Sequence, residues 1–268
     1  MAARAERARP RFGRHAAARL TPVSIYPVPG LPEIGRDAPL ANLILEGINA
    51  LGMSLEAGDV VVITQKVISK AEGQVRRLDA VRPSARAKEI ASRIAYDPRH
   101  VEVILSESVR VVREAPRVLI TETRHGFVCA NAGVDRSNTG GVELVVLLPE
   151  RPDESAQRLR EALVTASGVE IGVVISDSFG RPWREGQVNV AIGAAGVVAL
   201  RDYRGDRDPD GYQLQGTELG VVDEIASAGE LVMGKLDRVP VALIRGAAVS
   251  GDGRVHDLLR DPATDLFR

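Results

Sequence analysis

From Thr21 onward the chain alternates short apolar runs with amphipathic stretches. Val23–Tyr26 reads as a short strand, and Pro27, Pro29, Gly30 and Pro32 as a rigid loop after it. Leu40, Leu43, Ile44, Ile48 and Leu51 recur at helical spacing, with Asp37 and Pro39 as start signals and Gly52 as a stop. Asp59–Thr64 is a continuous apolar run of the buried-strand type. Ser84 caps a helix whose inner face is Ala87, Ile90 and Ile94, and Pro98 closes it. Val118–Thr121 and Phe127–Cys129 flank Arg124-His125-Gly126 and predict a hairpin. A helix over Asp153–Ser167 buries Leu159, Ala162 and Leu163 and stops at Gly168. Strands are predicted at Ile171–Ser176, Val188–Ile192, Val197–Leu200 and Val239–Ile244, with a helix over Leu219–Met233. Strands in hairpin-like clusters, separated by single helices without a βαβ beat, predict an α+β fold of mixed or antiparallel sheets with packed helices.

Composition narrows the class. The 268 residues are 44% hydrophobic, enough to build a core. Lys+Arg 35 against Asp+Glu 36 gives a net charge of -1, and aromatics are only 3%, so neither a nucleic-acid binder nor a base-stacking surface is expected. Cys129 is the single cysteine, which excludes an intrachain disulfide framework and a cysteine-built zinc site. No uncharged apolar run approaches the roughly 18 residues of a membrane helix, and a soluble, cytoplasmic protein is expected. Residues 1–20 carry six arginines against Glu6 and lack an apolar segment, which reads as a disordered basic tail rather than a secretory signal.

Gly229–Lys235 imitates the first seven positions of a P-loop, but Leu236 stands where a hydroxyl should hold Mg²⁺. A helix leads into it where a strand should, so Gly234 reads as a helix end and Lys235 as a basic residue beside it, either of which could still approach a phosphate. The four histidines have no metal-ligand spacing. Asp135 and Asp177 each end an apolar run before a polar, glycine-containing turn. Carboxylates at strand exits, with Ser178 beside one, are hard oxygen donors of the kind that hold Mg²⁺ or Mn²⁺ next to phosphate. A lone Asp at such a place is more often an Asx turn. The pair gains weight from Arg136, Arg181, Arg184, Lys66 and Lys70 nearby, since metal and cations together are the equipment of phosphoryl transfer. The polar stretch Arg201–Tyr212 is long enough for a functional loop.

Several segments together resemble one family. They are Gly30–Ile34, Asp59–Val62, Val67–Gly73, His125–Asp135, Ser176–Arg184, Asp223–Ala226, Glu230–Lys235 and Asp265–Phe267. The chain resembles the coenzyme F420-0:L-glutamate ligases, or F420 γ-glutamyl ligases, over essentially Val23–Phe267. That resemblance implies a GTP-dependent enzyme joining L-glutamate to the phospholactyl side chain of a deazaflavin coenzyme through an acyl phosphate, with release of GDP and phosphate. Further γ-linked glutamates would follow in some members. It implies catalytic roles for Asp135 and Asp177, a divalent cation (Mg²⁺ or Mn²⁺) on Asp135, Asp177 and Ser178, and a monovalent K⁺ as a further cation. Leu31, Pro32, Glu33, Ile34, Lys70 and Asn138 match nucleotide-contacting positions, and Gly234 and Lys235 lie where the phosphates are expected. Two departures stand out. Gln65-Lys66 occupies a place where relatives carry small hydroxyl residues, and Lys235 one where archaeal relatives offer a metal-binding glutamine. The resemblance also implies a homodimer of two-domain protomers, with 21–104 plus 225–268 as one domain and 105–224 as the other. Two other classes stay open on the residues alone: a metal-dependent phosphohydrolase and a non-catalytic nucleotide-binding subunit.

Overall fold

The computed structural model describes residues 21–265; the basic tail expected over 1–20, and Leu266 and Phe267, lie outside them. In chain order the elements are β1 (Ser24–Val28), α1 (Leu40–Ala50), β2 (Val60–Thr64), α2 (Gln65–Ala71), β3 (Val75–Arg77), α3 (Ala85–Ile94) and α4 (Pro98–Ser106). They continue as β4 (Ser108–Ala115), β5 (Val118–Thr123), β6 (Val128–Ala130), β7 (Leu144–Val146), α5 (Pro152–Ser167), β8 (Gly172–Arg181) and β9 (Arg184–Ala195). The chain closes with β10 (Arg201–Asp202), β11 (Glu218–Leu219), α6 (Val221–Met233) and β12 (Val241–Arg245). The fold is α+β.

The main sheet runs β1-β12-β2-β8-β9, with only the central β2–β8 pair parallel. Val60–Ile63 are buried without alternation, because a central strand is covered on both faces. Gly229 lets α6 approach β2: a Cβ there would lie 2.9 Å from Val62 Cγ1. Gly193 of β9 does the same for α5, since a Cβ would strike the Pro152 carbonyl. Asp59, buried at the entry to β2, is held by Arg245 of β12 through Nε (2.9 Å) and Nη2 (2.8 Å). A second apolar cluster, including Leu78, Ile90, Ile94, Val101, Ile104, Leu119, Val145 and Leu147, packs α3 and α4 against β5 and β7. No helix among the described residues is long and apolar enough to cross a membrane.

The Gly193 contact gives a direct test. Gly193→Ala is expected to cost on the order of 1–3 kcal/mol, because the methyl group meets backbone rather than a flexible side chain. Thermal unfolding would show it, and an unchanged Tm would mean that α5 can move off the sheet.

Ser84 accepts the Ala87 N–H as an N-cap, and Gly168 ends α5 in the left-handed region. Pro98 does not close α3. Ala95 turns the chain at φ 58°, and Pro98 opens α4 behind the Asp97 N-cap, where its missing N–H costs nothing. Val197–Leu200 is not a strand. Gly196 turns the chain, and Val197 makes only an isolated bridge to Ser250. Strand β1 runs on through Pro27, which the sequence reading placed in a loop. The elements α2, β3, α4, β4, β7, β10 and β11 go unpredicted, α2 because seven residues are too few for a period, and β4 because two register shifts break its alternation. The expected boundary at 104/105 separates β1 and β2 from β8 and β9 of the same sheet, and that at 224/225 falls within α6.

Candidate active site

Strand β2 ends at Thr64, in parallel register with Ser176 of β8, and α2 starts at the next residue. The first turn of α2 is thereby delivered beside Asp177. From the other side comes the segment after β6, in which Asp135 bridges Val146 of β7 through two backbone hydrogen bonds of 2.9 Å. Val134 and Val145 belong to the second apolar cluster, whereas Ile175 and Val67 belong to the main one. The two aspartates therefore meet where the two cores meet.

Lys66 Nζ lies 2.6 Å from Asp135 Oδ2 and donates to Ser137 Oγ at 2.8 Å. The Ser137 N–H donates to Asp135 Oδ1 at 2.7 Å. Burial pushes the Asp135 carboxyl upward, but these hydrogen bonds outweigh it and leave it below the usual carboxylate range. Asp177 differs. Burial lifts its carboxyl to about 7, against the Ser178 N–H; the charge of Asp135 adds to the rise, and the ammonium groups of Lys66 and Lys235 oppose it. Asp177 does not end its strand: β8 continues to Arg181, paired with β9 across the Pro182-Trp183 turn. The hairpin partner, rather than local composition, extends it.

Ser178 N–H donates to Asp177 Oδ1 (2.9 Å), and Ser178 Oγ donates to Asn189 Oδ1 (2.8 Å). Asn189 Nδ2 in turn donates to Glu230 Oε2 of α6 (2.8 Å). With its proton committed to Asn189, the Ser178 oxygen keeps its lone pairs for another partner. Burial raises the Glu230 carboxyl, opposed by Lys235 and Asn189. Asn189 and Glu230 have no site role in the sequence reading. The one signal was a buried amide interrupting the apolar run of β9.

A second junction lies one turn along α2. Lys70 Nζ pairs with Glu33 Oε1 at 2.5 Å and donates to the Asn138 carbonyl at 2.8 Å. Three candidate positions from separate segments, Glu33, Lys70 and Asn138, are thus in contact. Leu31, Pro32 and Ile34 share the Glu33 loop between β1 and α1, with Ile34 buried. Gly234 ends α6 at φ 59°, its N–H bonded to the Glu230 carbonyl, and Lys235 is exposed beyond it. Arg136 and Arg181 donate to the Val142 and Glu185 carbonyls of their own loops rather than to the aspartates. Arg184 is exposed on the β8–β9 hairpin. The Arg201–Tyr212 stretch folds back on itself and joins β9 to α6 through the small β10–β11 pair. Cys129 is buried, and burial, with the Asp177 charge, pushes its thiol up to about 12, which disqualifies it as a nucleophile.

The donor chemistry suits a hard divalent cation. Asp177 and Ser178 offer oxygen, and Asp177 is a desolvated carboxylate with no ion pair to a cationic side chain among the described residues. No cluster of three His, Cys, Asp or Glu converges among the described residues. Mg²⁺-type ions commonly use one or two carboxylates and complete their shell with water and substrate phosphate, so a sparse protein set fits them better than a full cage.

The residues from 30 to 246 match the family model of the F420-0:gamma-glutamyl ligases. The chain belongs to that family. The coenzyme F420:L-glutamate ligase of Methanothermobacter thermautotrophicus is 44% identical over 250 residues, 92% of this chain and 99% of that protein. Its counterpart in Methanopyrus kandleri is 46% identical over 255 residues, 93% and 99% of the two chains. That of Archaeoglobus fulgidus is 41% identical over 247 residues, 92% and 96%. The F420-0:gamma-glutamyl ligase family match spans Glu33, Lys66, Lys70, Asp135, Asn138, Asp177 and Lys235 together.

Proposed function

We propose that this chain is a GTP-dependent ligase that forms the amide between L-glutamate and the phospholactyl carboxylate of F420-0, then extends it with γ-linked glutamate. GTP phosphorylates the carboxylate, the glutamate amine attacks the acyl phosphate, and GDP and phosphate leave. What supports this reading most is the junction of Lys70, Glu33 and Asn138 beside the Asp135–Asp177 pair, in a member of a family whose named relatives are glutamate ligases.

The roles follow from the chemistry. Asp177 and Ser178, with Asp135, hold Mg²⁺ or Mn²⁺, which supplies positive charge against the phosphate oxygens. Lys70 fixes the Leu31–Ile34 loop against Asn138 and so shapes the nucleotide site. Glu230 and Asn189 orient Ser178. Lys66 and Lys235 add positive charge where the acyl phosphate forms, and the contact between the two cores shields it from water. A K⁺ ion as a further cation and a homodimeric working unit belong to the same proposal; sedimentation velocity tests the latter.

The deciding experiment incubates the protein with GTP, Mg²⁺ or Mn²⁺, L-glutamate and F420-0, followed by mass spectrometry. GDP is expected only when both acceptor and glutamate are present, with product mass rising by whole glutamyl units. GDP release without either would make the protein a phosphohydrolase, and binding without turnover would make it a nucleotide-binding subunit.

Lys235 gives a separate test. If its charge serves the phosphates, Lys235→Met lowers kcat/KM about 10–100-fold, the worth of one charge-assisted contact, with Tm unchanged. If it only complements the end of α6, the loss is about 0.3–1 kcal/mol of stability and turnover is spared. Lys235→Gln is expected to raise metal affinity or stoichiometry if Lys235 stands in for a cation.

A further inference from the structure

Helix α2 presents two lysines four residues apart, and therefore on one side of the helix, to a single loop. Lys70 grips the loop at the Asn138 carbonyl, and Lys66 grips it at Asp135 and Ser137. The Lys66 contact is of a different kind. Its ammonium group sits on Asp135 Oδ2 at 2.6 Å, with the side chain only 16% exposed. That carboxylate is one of the two proposed to hold the divalent ion.

An ammonium hydrogen-bonded to Asp135 Oδ2 and a divalent cation on the same carboxylate, at about 2.0–2.6 Å, repel each other and compete for its lone pairs. A cation that binds through Oδ2 therefore works against Lys66 and is favoured when the ammonium moves away. The side chain stays tethered to the first turn of α2, next to Asp177, and a partly buried ammonium stripped of its carboxylate needs a new anion. The oxygens of a nucleoside triphosphate brought in with the metal supply one.

We infer that Lys66 is a resident counter-ion that competes with the divalent cation for Asp135 and passes to the phosphate groups when displaced, so that metal and nucleotide bind as a coupled pair. The inference rests on the assignment of Asp135 and Asp177 to the metal.

The test is calorimetric titration of the full chain with Mn²⁺, alone and with a non-hydrolysable GTP analogue, for the wild type and three variants. Wild-type protein is expected to bind Mn²⁺ weakly alone and at least about 10-fold more tightly with the analogue. Lys66→Met should bind Mn²⁺ alone about 10–100-fold more tightly than wild type, the range of one charge-assisted contact, and gain little further from the analogue. Ser137→Ala, which frees Lys66 from its second acceptor while leaving the backbone bond to Asp135, should shift affinity in the same direction by a smaller factor. It keeps the test valid if Lys66→Met fails to fold. Mn²⁺ affinity unchanged or weakened in both variants, with wild-type binding intact and dependent on Asp177 as judged by Asp177→Asn, would overturn the competition and leave the metal assignment standing. Absence of Mn²⁺ binding to wild type even with the analogue would overturn the assignment and this inference together.

Discussion

Asp177→Asn is expected to lower turnover by at least about 100-fold while the protein stays folded. Loss of outer partners alone costs metal sites about 10–100-fold in affinity or activity, and a direct ligand should cost more. The amide keeps the shape and can accept the Ser178 N–H, so the β8–β9 hairpin should survive. The pH dependence of stability in metal-free protein tests the desolvation of Asp177, and the metal dependence of activity tests its role as a ligand. With the carboxyl raised from 3.8 to about 7, the native state holds its proton more tightly than the unfolded chain does. The stability this gives is fully present below pH 3.8 and is lost as pH rises towards 7. Asparagine does not titrate, so the Tm of Asp177→Asn relative to wild type should climb between pH 5 and pH 8. A difference that is flat with pH, or activity with unchanged metal dependence, would mean that Asp177 is not the desolvated ligand described here.

Lys70→Met should raise the KM for GTP about 10–100-fold, through loss of a charge-assisted contact worth roughly 1.5–3 kcal/mol, with a smaller effect on kcat. The Lys70 side chain is 11% exposed, whereas Glu33 is 77% exposed, so the lysine is the fixed half of the pair and the loop is what it positions. Because Glu33 can turn to water, the Tm should fall little. Lys70→Arg is expected to recover part of the affinity, since it can still reach both Glu33 and the Asn138 carbonyl. An unchanged KM in Lys70→Met would detach this junction from the nucleotide and with it the strongest support for the proposed reaction.

The fold was readable where a local rule acts alone. The periodicity of α1, α5 and α6, the Ser84 and Gly168 caps and the β5–β6 hairpin depend on residues adjacent in sequence, and the structure has them. The α2 helix was hidden because it is held by packing of Val67, Ile68 and Ala71 into the main core rather than by its own seven residues. Strand β8 was read too short because Ser176–Arg181 is polar, and its extension comes from pairing with β9.

The sequence by itself determined the α+β class, the family resemblance, and the carboxylates, hydroxyl and lysines that make up the candidate site, because residue type fixes what chemistry is available. Only the tertiary structure decided who faces whom. It placed Glu33, Lys70 and Asn138 in one junction and set Asp177 on Ser178, with Asn189 and Glu230 behind that serine. It also put Lys66, which composition offers only as one more cation, directly on Asp135. The reason is physical: these contacts join residues up to 71 positions apart, and their geometry is set by the β2–β8 register and the meeting of two cores, neither of which leaves a local trace in the order of residues.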